Sequence, residues 1–123
     1  MIKVYLMLGG IFATLSVILG AFAAHGLKSK ISEQAIVTFQ TGVTYQMYHA
    51  LALILFAIVA KQGVPLNWGS GFLVAGILLF SGSLYALALT GVKWFGPITP
   101  LGGLCFIIGW VLFVVQIYRY FEV

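Results

Sequence analysis

Histidine is the side chain whose ordinary titration falls nearest neutral pH, and this chain has two, His25 and His49. In the run Tyr45-Gln46-Met47-Tyr48-His49, a phenol lies one helical turn before His49 and an amide lies at i−3, positions that share a helix face. Two chemistries fit that group: a neutral imidazole hydrogen-bonding across helices, or an imidazole that handles a proton or a ligand. His25, flanked by Ala24 and Gly26, reads as an interfacial capping residue or as a second member of the same site. Phe80-Ser81-Gly82-Ser83-Leu84-Tyr85 offers hydroxyls that either line a path or pack helices. Thr99-Pro100-Leu101-Gly102-Gly103 is either an ordinary helix start with proline in its first turn or a broken one whose freed backbone faces a ligand.

Other chemistries lack the residues they need. Cys105 is the single thiol and Glu33 and Glu122 are the only acids, so a disulfide cannot form within the chain and a four-ligand zinc site is disfavoured. No nucleophile–histidine–acid set and no phosphate loop is visible. A haem held by His25 and His49 is conceivable by count, but nothing else marks a porphyrin pocket. We expect no catalytic residue, no metal and no cofactor, hence a protein that is not an enzyme.

The elements that must position these residues follow from composition. Of 123 residues, 63% are hydrophobic and 7% charged, whereas soluble domains carry charge on roughly a quarter. A hydrocarbon core ~30 Å thick takes ~20 apolar residues per helix, and four apolar runs satisfy it, at about 4–24, 43–60, 69–90 and 98–120. The expected fold is an all-α membrane protein: one transmembrane domain over 1–123, built as a four-helix bundle. Ala21-Phe22-Ala23 has the small-residue pattern of a signal-peptide cleavage site. The unbroken run 4–24 that contains it is ~31 Å long as a helix and better fits a full span.

Four crossings put both termini on one side, here called face A. Face A holds Lys3, Lys61 and Arg119, and the opposite face B holds Lys28, Lys30 and Lys93. Three against three gives the positive-inside rule no excess to act on, so charge does not fix the orientation. The net charge of +4 is scattered singly and forms no stripe for nucleic acid, so anionic headgroups are its expected partners. Trp68, Trp94, Tyr118 and Tyr120 fit interfacial anchors at span ends.

Between spans one and two, a segment of about 32–46 is amphipathic. Ile31, Ala35, Phe39, Val43 and Met47 share one side, and Glu33, Gln34, Thr38, Thr41 and Thr44 the other. Ser32 followed by an acid is a helix-start signal, so an interfacial helix running into span two is expected. Continuous helix from there to Ala60 is ~43 Å long, which calls for a bend near Gly42 or a tilt.

Membrane helices associate through small residues that let backbones approach. Such residues recur at regular spacing: Gly9, Ala13, Ser16, Gly20 and Ala24 in span one, Gly69, Gly76, Ser83 and Thr90 at intervals of seven in span three beside Gly71, Ala75, Gly82 and Ala86, and Gly102, Cys105 and Gly109 in span four. Gly9, Ala13, Gly20, Gly76, Gly82, Gly102 and Gly109 are the expected packing positions. Following the spans through the bilayer collects His25, Tyr45, Gln46, His49, Ser83, Tyr85 and Thr99 toward face B, where a polar cluster or open vestibule is predicted.

Four strings carry a resemblance: Gly20-Ala21-Phe22-Ala23-Ala24-His25-Gly26-Leu27, Thr41 through Leu53, Phe80 through Tyr85, and Ile98 through Gly103. In that order they resemble uncharacterised protein family 0382, also called domain of unknown function 423, over nearly the whole chain. Ala23 stands where the family pattern has glycine, which weakens any need for close backbone approach there. The resemblance implies a multi-pass protein of the bacterial plasma membrane and no particular reaction.

Two functional classes follow. Small-residue packing accounts for most features, which favours a nonenzymatic, tightly packed scaffold or partner-binding bundle, whose partners are membrane lipids and a second copy or another membrane protein. The alternative is a solute, proton or lipid-handling transporter or channel with a polar vestibule around His49.

Overall fold

A computed structural model describes residues 1–121; Glu122, one of the two acids, lies outside the described residues. The described residues form an all-helical fold, with four helices among them long and apolar enough to cross a membrane. The first span is α1 (Ile2–His25) and the second α2 (Glu33–Ala60). The third consists of α3 (Asn67–Gly76), a π turn (Ile77–Ser81) and α4 (Gly82–Thr90). A short 3₁₀ turn (Lys93–Phe95) leads to α5 (Ile98–Tyr120), the fourth.

Local chemistry sets the boundaries. The Ser32 hydroxyl accepts the Ala35 amide at 3.1 Å and Glu33 stands in the first turn of α2, which satisfies a free donor and favours the positive end of the helix dipole. Gly91, at φ +70°, ends α4 in the left-handed conformation that a side chain would resist. Pro97 precedes α5 and Pro100 occupies its first turn, where a missing N–H costs no helical bond.

The amphipathic segment is not a separate element. It forms the first half of α2, which passes Gly42 as uninterrupted helix. Its apolar side faces protein: Phe39 is buried with Ala23, Leu27 and Ala88, and Ile31, Ala35 and Val43 pack against them.

α2 and the third span form the centre of the bundle. α1 lies along α2, and α5 lies along α3 and the π turn. In the most apolar 18-residue stretch of each span, 39% of α2 and 33% of the third are buried, against 17% for the first and fourth. Two apolar clusters result, one around Leu53, Phe56, Leu73 and Phe106 toward face A and one around Phe39 and Ala23 toward face B.

Close backbone approach explains several of the predicted packing glycines. A Cβ at Gly102 would overlap the backbone of Phe80 in the π turn, and one at Gly76 would overlap the Phe106 ring. Gly109 and Gly69 face each other across α5 and α3, and Gly9 lies against the Ala50 carbonyl. Gly20 is looser, with Val43 at 3.4 Å from its would-be Cβ, and Ala13 is half-buried. Gly82 meets nothing within 4 Å. Of the stripe expected at intervals of seven, Gly69, Gly76 and Ser83 are buried and Thr90 is exposed; the π turn within it contains one extra residue and rotates all that follows by roughly 100°. Ser81, fully buried, therefore faces α2, and Gly82 turns outward.

Candidate functional site

Gln46 and His49 lie between the two apolar clusters, near mid-height. Because α2 begins at Glu33, Gln46 and His49 are the fourteenth and seventeenth of its 28 residues. They stand at the middle of the bundle rather than beneath face B, where a span starting near residue 43 would have placed them.

His49 is 5% exposed. Its Nδ1 lies 2.8 Å from the Tyr45 carbonyl, which can only accept, so Nδ1 carries the proton. Nε2 is then an acceptor and receives the Trp110 indole N–H at 3.1 Å. One face of the imidazole is covered by Phe106, with centroids 3.6 Å apart and planes 10° from parallel. This is a neutral imidazole with both nitrogens engaged; a proton added to Nε2 would displace the indole.

Gln46, 3% exposed, joins three spans. Its Nε2 donates to the Phe12 carbonyl of α1 at 2.9 Å, and its Oε1 accepts the Tyr85 hydroxyl of α4 at 2.7 Å. The Phe12 carbonyl also accepts Ser16 Oγ from one turn on. Ser81 Oγ donates to the Gly42 carbonyl at 2.6 Å. A Cβ at Gly42 would stand 2.7 Å from the Tyr85 ring, so glycine there lets the phenol reach Gln46.

A third pair, Ser83 and Thr99, ties α4 to the start of α5. Ser83 also donates to the Phe80 carbonyl at 2.9 Å. A hydroxyl has one proton, so Thr99 is the donor to Ser83. The start of α5 is continuous helix, not a broken one.

The seven predicted site residues thus fall into separate groups: Gln46 with Tyr85, His49 with the Tyr45 carbonyl, and Ser83 with Thr99. The Tyr45 ring is 39% exposed and packs on Phe80. His25 is exposed at the last residue of α1 and belongs to none of these groups. Among the described residues every buried side-chain nitrogen and oxygen has a hydrogen-bond partner, and no three of His, Cys, Asp and Glu come together.

Trp110 is the member that sequence reasoning missed; Ser81 reads within a hydroxyl run and Ser16 as a small packing residue. Trp110 carried a signal: it is the thirteenth of 23 residues of α5, far from the interface where tryptophans usually anchor. An indole N–H at that depth needs an acceptor.

Four spans around a paired polar belt define a small polytopic membrane protein. A family model described as a protein of unknown function (DUF423) matches residues 19–103, and the chain belongs to that family. The UPF0382 membrane protein YwdK of Bacillus subtilis is 49% identical over 121 residues, covering 96% of this chain and 98% of the relative. UPF0382 membrane proteins of Staphylococcus aureus (SAB0533) and Staphylococcus haemolyticus (SH2409) are 42% and 40% identical, each with 96% of this chain and 98% of the relative covered. No solved structure matches.

Proposed function

We propose that this protein is a nonenzymatic, tightly packed scaffold or partner-binding bundle of the bacterial plasma membrane. The observation that carries this reading is the state of the polar belt. Gln46 and His49 are buried, and their hydrogen bonds go to other spans or to their own helix rather than toward an open cavity. A path for protons or solutes needs polar groups whose bonds can be exchanged with water or cargo. Phe106 covers one face of the His49 imidazole and the Trp110 indole engages its Nε2.

The binding partner is a second copy or another membrane protein, and the outward-facing Gly82 is where its helix can approach closely. Because Gly82 has open space around it, Gly82→Leu tests that contact without overpacking the chain itself. We expect the variant to keep its helix content and to lose the native assembly measured by cross-linking in membranes and by mass in mild detergent. Unchanged assembly would count against the proposal. In proteoliposomes, wild type and His49→Ala should both leave proton and small-solute flux at the level of empty vesicles. A flux abolished by His49→Ala would instead establish the transporter reading.

A further inference from the structure

Where α1 ends and α2 begins, a cavity of about 450 Å³ opens at face B. It is lined by the apolar side chains of Ala23, Ile36 and Val37 and by the polar ones of Lys28, Glu33 and Gln40. Lys28 and Glu33 are both exposed, so one cavity presents a cation and an anion at headgroup level above an apolar wall. Glu33 is the only acidic side chain among the described residues.

We infer that this cavity binds a phospholipid with a zwitterionic primary-amine headgroup, a phosphatidylethanolamine: its phosphate on Lys28, its ammonium on Glu33 and its glycerol backbone against Ala23, Ile36 and Val37. Charge complementarity selects this occupant. A purely anionic headgroup satisfies Lys28 but faces repulsion from Glu33. A quaternary ammonium has no N–H to donate to the carboxylate.

Depth agrees with the assignment. α2 as continuous helix is ~42 Å long, matching the ~40–45 Å of a whole bilayer with its headgroups, so its first turn reaches headgroup level. Gln40 lies seven residues and ~10.5 Å below Glu33. Helical side chains lean toward the N-terminus, which carries the Gln40 amide back up toward the ester carbonyls. The site is distant from the polar belt and does not depend on the scaffold proposal.

Native mass spectrometry of the detergent-solubilised full chain tests it, titrating phosphatidylethanolamine, phosphatidylglycerol and phosphatidylcholine of identical acyl chains. Wild type should retain the ethanolamine lipid at one site with a roughly threefold to fivefold preference over the choline lipid, the size expected for an exposed charge pair. Glu33→Gln should abolish that preference, Lys28→Gln should weaken all three lipids, and Val37→Trp should fill the cavity and remove the site. Lys28 and Glu33 are exposed, so their variants should keep wild-type helix content. Equal retention of ethanolamine and choline lipids, a stronger glycerol lipid, or an unaltered preference in Glu33→Gln would overturn the inference.

Discussion

His49 and Trp110 show how a polar side chain is tolerated in the middle of a membrane bundle. The imidazole receives one hydrogen bond from across the bundle and donates another to its own helix, so neither nitrogen is left bare in an apolar medium, where an unpaired group costs several kcal/mol. Interhelical bonds in membranes are individually modest, averaging about 0.6 kcal/mol and reaching about 1.7. We expect a double-mutant cycle of His49→Leu and Trp110→Phe, read by reversible unfolding in mixed micelles, to give a coupling of about 0.6–1.7 kcal/mol. A coupling of zero would mean that the indole N–H finds its acceptor elsewhere.

The π turn of the third span determines which side chains meet. It aims Ser81 at the Gly42 carbonyl and presents the Phe80 backbone to Gly102. Gly102→Ala should therefore overpack this contact and destabilise the fold by about 1–3 kcal/mol, the usual range for a forced extra carbon. Gly82→Ala, with nothing within 4 Å, should leave the thermal midpoint of the detergent-solubilised monomer unchanged. Equal effects of the two alanines would refute the rotation assigned to the π turn. The Ser32 cap was readable from residue types, since hydroxyl and acid stand at adjacent positions. The π turn was not, because Ile77-Leu78-Leu79-Phe80 is equally at home in an α-helix.

For the molecule as a whole, charge leaves orientation balanced, with Lys3, Lys61 and Arg119 on the terminal face and Lys28, Lys30 and Lys93 opposite. Basic residues near span ends favour the cytoplasm. Replacing Lys30 and Lys93 by Gln should drive the termini inward. Fusions at the C-terminus report it: a cytoplasmic fluorescent reporter should brighten and a periplasmic phosphatase reporter should lose activity relative to wild type. No change in either signal would show that loop charge does not set the topology of this bundle.

Hydrophobicity and length alone determined four spans and an all-helical membrane fold, because burying a backbone in hydrocarbon leaves few alternatives. Spacing also marked Gly9, Gly76, Gly102 and Gly109, since close helix approach demands small residues at regular intervals. Which polar side chains would pair was decided only in three dimensions. The early start of α2 moved Gln46 and His49 to mid-height, the π turn exchanged Ser81 for Gly82, and His25 stayed outside the belt. Residue types state what a group can donate or accept. Helix rotation and depth, set by the packing of all four spans together, choose the partner.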